Sequence, residues 1–194
     1  MDTAAKSAGP YVVKGTAVSG VINFIRKTFG EKAFAQWLSL LSPDARAIAS
    51  QPISRSAWFA GALVMEIRLS LVNEFFGGDR RRLREVGKYT GKQNFTGVYN
   101  LAIKFGSPAW VIGRIGMVYE QMYRPGKISL PVREAKRVMI RLDGFPDYTG
   151  TMEHIFCGFL HAAVELSGAQ NVSTKIVTSS TPDNEVSEVE VLWT

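Results

Sequence analysis

KISLPVREAKRVMIRLD (127–143), TMEHIFCGFLHAAVELS (151–167), VSTKIVT (172–178) and SEVEVLW (187–193) decide the fold of this chain. In the first run Ile128, Leu130 and Val132 alternate, and Val138, Ile140 and Leu142 alternate again after a turn at 133–136. A period of two gives each strand one apolar face, and the pair reads as a hairpin. The third and fourth runs flank the turn-rich residues 180–184 and make a second hairpin. Between the hairpins, Met152, Ile155, Phe156, Phe159, Leu160, Ala163 and Leu166 share a stripe roughly 140° wide on a helix. Four antiparallel strands with one apolar face need a cover, and that helix supplies it. The expected architecture is α+β, with N-terminal helices packed around a four-stranded antiparallel sheet and one helix between the two hairpins.

Working back toward the N-terminus, residues 1–10 read as a disordered leader and 11–194 as a single ligand-binding-like domain. Val18, Val21, Ile22, Ile25 and Phe29 have helical spacing up to Gly30, and a short helix follows at 31–41. Ser42-Pro43-Asp44 and Ser107-Pro108 are cap-then-proline signals that start helices. Residues 53–59 read as an extended or irregular connector ending in Trp58-Phe59. Residues 62–76 form a helix with Leu63, Ile67, Leu71 and Phe75 on one face, stopped by Gly77-Gly78. Asp79 caps the next helix, which runs to about Phe105. Gly87 and Gly91, one turn apart inside it, each cost about 1 kcal/mol relative to alanine, so a close approach by another helix is expected there.

The 194 residues are 46% hydrophobic and 21% charged, which fits a globular domain and excludes a low-complexity chain. No apolar run reaches the roughly 18 residues of a membrane span, and residues 61–72 are broken by Glu66 and Arg68. The start has no apolar signal-peptide core and Cys157 has no partner for a disulfide, so a cytoplasmic setting is expected. A net charge of +6 makes an anionic partner conceivable, nucleic acid included, without favouring it.

Four constellations bear on chemistry. His154, Cys157, His161 and Glu165 follow one another at steps of 3, 4 and 4, opposite the apolar stripe. Seven residues rise about 10.5 Å along a helix, too far for both histidines to reach one ion. No metal site is assigned, and the group reads as a solvated polar face with Cys157 at its edge. Serine-hydrolase elbows, phosphate loops and zinc-protease motifs do not occur, so no catalytic residue is assigned. Arg80, Arg84, Lys88 and Lys92 form an i, i+4 ladder that can hold a nucleotide or nucleic acid by its phosphates, or simply face solvent. The aromatic-rich middle supplies Trp58, Phe59, Tyr99, Trp110 and Tyr119 as the candidate lining of a small-molecule pocket.

The order of elements resembles a known fold: helices, then Pro125-Gly126, a hairpin, an amphipathic helix ending near Gly168, and a closing hairpin. Haem–nitric-oxide-binding domains, 4-vinyl-reductase-like sensor domains and TRAPP trafficking subunits share it. The phrases Lys14-Gly-Thr-Ala17, Leu83-Arg-Glu-Val-Gly87, Thr96-Gly-Val-Tyr99, Phe105-Gly-Ser-Pro108 and Leu142-Asp-Gly-Phe-Pro146 are similar to a paralogous family of myxobacteria with no established activity. That resemblance covers about residues 13–193. Zinc-holding members of the sensor group carry Glu-x2-Cys-x7-Cys, and aligned on Glu165 those cysteine positions are Gly168 and Ile176. The Tyr-x-Ser-x-Arg motif that grips haem propionates in haem-binding members does not occur either. Cys157 has no motif match to the acylated cysteine of the trafficking subunits. No cofactor is therefore expected. The resemblance implies a non-enzymatic sensory or docking module, homodimeric, binding a small apolar or aromatic molecule or a signalling protein. The alternative is an anion-binding regulator using the basic ladder.

Overall fold

A computed structural model describes residues 11–94 and 106–194, with the backbone alone for Asn94. β1 (Val12–Lys14) leads into α1 (Gly15–Leu38), α2 (Pro43–Ser50), β2 (Trp58–Ala60), α3 (Gly61–Phe76), a 3-10 turn at Arg80–Arg82 and α4 (Leu83–Asn94). α5 (Pro108–Glu120), β3 (Tyr123–Arg124), β4 (Lys127–Glu134), β5 (Arg137–Asp143), α6 (Thr151–Leu166), β6 (Ser173–Thr178) and β7 (Val186–Leu192) follow. The larger sheet has the order β4-β5-β7-β6, all neighbours antiparallel. The expected leader and the stretch from Phe95 to Phe105 lie outside the described residues.

Alternation placed the sheet correctly. Val138, Ile140 and Leu142 are buried and pair with Val191, Val189 and Ser187 across the β5–β7 ladder. The first turn is tighter than expected, because β4 and β5 extend until only Ala135 and Lys136 connect them. Arg141 and Arg137, on the opposite face, pair with Glu188 at 2.7 Å and Glu190 at 2.8 Å. Ser42 and Ser107 cap α2 and α5 by accepting the backbone N–H of Ala45 and Trp110. Gly77 takes the left-handed conformation that ends α3, and Gly30, at φ 84° and ψ 166°, breaks α1 in two.

Three expectations change. First, the chain from Tyr11 begins as a strand rather than a helix, and the connector at 53–59 ends as one. β1 pairs with both β2 and β3 in a second, three-stranded sheet. Strands of two and three residues carry too little alternation to be read locally. Second, the buried side of α3 is centred on Val64, Ile67, Arg68 and Leu71, while Leu63 and Phe75 are only half-buried. Third, α6 has no solvated face at its middle. The sheet covers one side and α4 the other, and Cys157 is fully buried in the sheet-side core.

Glycine permits that double burial. A Cβ on Gly87 would lie 2.0 Å from the Ile155 carbonyl oxygen, and one on Gly158 would lie 2.1 Å from the Arg84 carbonyl oxygen. A Cβ on Gly91 would come within 2.9 Å of the Ala162 methyl. The backbones of α4 and α6 are in direct contact, and this offsets the cost of glycines within a helix.

The same substitution should therefore have opposite signs at two helical glycines. Gly87→Ala forces the two helices apart and should cost about 1–3 kcal/mol. Gly116→Ala meets Ile128 only at an ordinary 3.6 Å, so it should be neutral or stabilise by up to about 1 kcal/mol. Urea midpoints moving the same way in both variants would contradict the packing described.

Candidate functional site

Arg68 lies within the apolar side of α3, with 1% of its surface exposed. A guanidinium brings five N–H donors and no acceptor into that setting. Nη2 donates to the Tyr123 hydroxyl at 3.3 Å, and Nη1 is 3.5 Å from Asp147 Oδ2 in an ion pair. The Tyr123 ring centre lies 5.8 Å from the guanidinium carbon. Nε of Arg68 and the Tyr119 hydroxyl have no hydrogen-bond partner among the described residues, Nη1 has only the ion pair, and the Tyr11 hydroxyl lies against the guanidinium.

Asp147 is committed elsewhere. Its Oδ1 accepts from the Thr149 amide at 3.1 Å and from the Thr149 hydroxyl. Its Oδ2 accepts from the Thr151 hydroxyl at 3.0 Å and the Met152 amide at 3.2 Å. The carboxylate thus sits on the first turn of α6, where the helix dipole favours negative charge.

Electrostatics make this a cluster of donors. Burial opposes the Arg68 charge, but Tyr123, Tyr11 and Asp147 outweigh it and raise its pKa. Burial pushes the Tyr119 phenol well above its ordinary value, helped by Tyr11 and Tyr123 against the opposing pull of Arg68. Tyr11 is also raised by burial. At neutral pH the site holds a cation and protonated phenols.

Arg68, Tyr119 and Tyr123 border a partly open pocket among α1, α3, α4, α5 and α6. It gives about 40 Å³ to the centres of water-sized molecules, room for roughly three waters. Arg68, Tyr119 and Tyr123 form its polar side, and Ile115, Met152 and Phe156 are among its apolar walls. Aromatic packing keeps it small. Tyr119 stacks on Tyr123 with ring centres 4.6 Å apart and meets Phe145 edge-on at 4.4 Å.

Of the five aromatic residues singled out from the sequence, Tyr119 lines this cavity. Trp110 does not: it stands 42% exposed in the first turn of α5, with Arg114 4.4 Å from its ring centre. Trp58 and Phe59 are drawn into β2, where Trp58 lies under Arg124 at 4.4 Å and Phe59 packs on the sheet-side core. Tyr99 lies outside the described residues. Sequence reasoning assigned Arg68 and Asp147 no such role, while Tyr123 belongs to the same aromatic-rich middle as Tyr119. The available signal was a charge at i+4 from Val64 and i+1 from Ile67, inside the stripe rather than opposite it.

The basic ladder is interrupted. Arg80 belongs to the 3-10 turn and donates to the Thr149 carbonyl at 2.7 Å. Arg84 donates to the Thr174 carbonyl at 2.9 Å, and Lys92 pairs with Glu165 at 3.8 Å. Lys88 borders an open cleft with Arg84, Glu85 and His161. On α6 the His–Cys face is not a ligand set, and no three metal-ligating side chains converge among the described residues. Burial pushes the Cys157 thiol up to about 11 despite the pull of Arg84. Burial, then Arg84 for His154 and Lys88 for His161, lowers both histidines.

No family model matches the chain, and no curated relative does. Solved structures do. An Fe(II) unliganded H-NOX protein of K. algicida matches at TM-score 0.71 with 8% identity, over 93% of this chain and 96% of that one. A point variant of T. Tengcongensis H-NOX matches at 0.68 with 14% identity, over 93% and 97%. A protein studied for haem redox potential and porphyrin distortion matches at 0.70 with 14% identity, over 92% and 99%. The fold is H-NOX-like. At such identities the likeness concerns the fold alone.

Haem does not fit the described residues of this H-NOX-like chain. Cofactor-sized pockets run to about 300 Å³ or more, whereas the cavity beside Arg68 measures about 40 Å³. Neither histidine nor Cys157 lines it. The Tyr119 phenol is held protonated by burial, which opposes the phenolate that a tyrosine ligand to iron supplies.

Two outcomes follow from the α6 environment. Cys157 should resist a disulfide reagent at pH 8 in the folded protein and react at once in urea, and rapid native reaction would contradict its burial. His154 and His161 titrate below 6.5 when folded, so the unfolded chain takes up protons first as the pH falls. Folding stability should then drop as pH passes down through about 6.5, and a His154→Gln/His161→Gln variant should show a shallower drop.

Proposed function

We propose that this chain is a non-enzymatic sensory module that takes a small, largely apolar ligand into the cavity beside Arg68 and passes its occupancy to a signalling partner. The observation that carries this reading is the set of buried groups with hydrogen bonds left to make on the wall of an otherwise apolar pocket. Buried polar groups are nearly always paired, and leaving one bare costs about 1–3 kcal/mol, more for a charge. A ligand that accepts those hydrogen bonds recovers that cost, and its apolar remainder meets Ile115, Met152 and Phe156.

The chemistry of the wall supports binding rather than catalysis. Arg68 stays charged and Tyr119 stays protonated, so the polar side offers donors and no general base. The position supports sensing. Arg68 comes from α3, Tyr119 from α5, Tyr123 from β3 and Met152 from α6, so a ligand there touches both the helical layer and the sheet half. The anion-binding alternative has less support, since Arg80 and Arg84 already hold backbone carbonyls.

Methionine methyl NMR tests the site directly. Met122 and Met152 line the cavity, whereas Met117 is exposed on α5 and Met65 borders a different groove. Xenon, a small apolar probe, should shift the Met122 and Met152 methyls saturably and leave Met117 and Met65 in place. Native mass spectrometry of the purified protein adds whether a ligand is retained. If xenon and a panel of small apolar and polar molecules all leave Met122 and Met152 unmoved, the cavity is not a ligand site.

A further inference from the structure

We infer that the ligand is a short-chain carboxylate of two or three carbons, held head-first against Arg68 and Tyr119. The inference rests on the cavity being the ligand site. It is carried by which atoms lack partners, by charge and by size.

The groups on the polar side with hydrogen bonds left to make are Nε of Arg68, its Nη1, held only by the 3.5 Å ion pair to Asp147, and the Tyr119 hydroxyl, and all three can donate. The missing group must therefore accept several hydrogen bonds at once. A carboxylate has two oxygens with about four acceptor positions and nothing to donate. An alcohol or amine of equal size would bring a donor of its own into a wall that already has too many.

Charge points the same way. Asp147 is the only carboxylate paired with Arg68 among the described residues, and four donors from Thr149, Thr151 and Met152 already occupy it. Arg68 keeps one hydrogen bond, at 3.3 Å, and an ion pair at 3.5 Å. A fully buried guanidinium held that loosely gains from a second anion, and hydrogen bonds from a cation to a carboxylate are roughly twice as strong as neutral ones.

Size sets the chain length. Space for roughly three waters matches a carboxyl group with one or two further carbons. Ile115, Met152 and Phe156 surround the tail. An aromatic acid would have to displace the Tyr119 or Phe156 ring from packing that is already close. Five non-hydrogen atoms cannot bind tighter than about micromolar even at the best ligand efficiency. The module would then respond to an abundant metabolite class rather than a trace signal.

The test uses the full chain with labelled methionine methyls, titrated with acetate, propionate and butyrate. Sodium chloride matches ionic strength, and 1-propanol, propionamide and xenon are the uncharged probes. Propionate should move Met122 and Met152 saturably, with Met117 fixed and with affinity at least about tenfold above 1-propanol. Tyr119→Phe, which deletes one oxygen and keeps the ring, should weaken propionate about tenfold and leave xenon unchanged. Arg68→Met should abolish propionate binding where circular dichroism shows it folded. If 1-propanol or xenon shifts those methyls and propionate does not, the carboxylate assignment falls while the cavity remains a ligand site. If no probe shifts them, both fall.

Discussion

A guanidinium buried to 1% exposure is the constraint on which the middle of this molecule depends. A charge cannot be taken out of water without partners, and removing one partner of a buried pair typically costs about 3–5 kcal/mol. Arg68 therefore dictates where Tyr123, at the end of α5 and start of the sheet half, and Asp147, before α6, must lie. Asp147 in turn caps α6, so the charge on α3 is tied to the first turn of the helix that covers the sheet. Glu153, in the same first turn, holds the β6–β7 connection through the Ser180 amide at 2.9 Å and the Ser187 hydroxyl. Polar groups thus fix the ends of α6, while apolar contacts fill its length.

The second constraint is steric. Gly87, Gly91 and Gly158 let α4 lie directly on α6. Cys157 and the histidines become features of a buried helix as a result, which explains the suppressed thiol and the lowered imidazoles. The cationic side of α4 works as a clamp, since Arg84 reaches across to β6 and Lys92 to the end of α6.

The likeness to H-NOX structures is one of backbone course. The backbone course is H-NOX-like over most of the chain, yet the space beside α6 is packed with Tyr119, Tyr123, Phe145 and Phe156 and faces a fixed cation. Fold constrains where a ligand site can be, and the side chains lining it decide what enters. The proposed site follows from those side chains and not from the likeness.

The sequence by itself determined the elements whose signals are local and repeated. Alternation over seven residues marks β5 and β7, serine before proline marks the starts of α2 and α5, and paired glycines mark the helix that another helix touches. Each of these depends on contacts within a few residues or on a face that the pattern itself defines. Tertiary structure alone decided the three-stranded sheet, because its strands are too short to show a period and exist only through partners about 45 and 110 residues away. It also decided the site. A charge inside the apolar stripe of α3 says nothing of its partners, and only the packing of β3, α5 and the start of α6 around Arg68 makes it a buried cation with hydrogen bonds left to make.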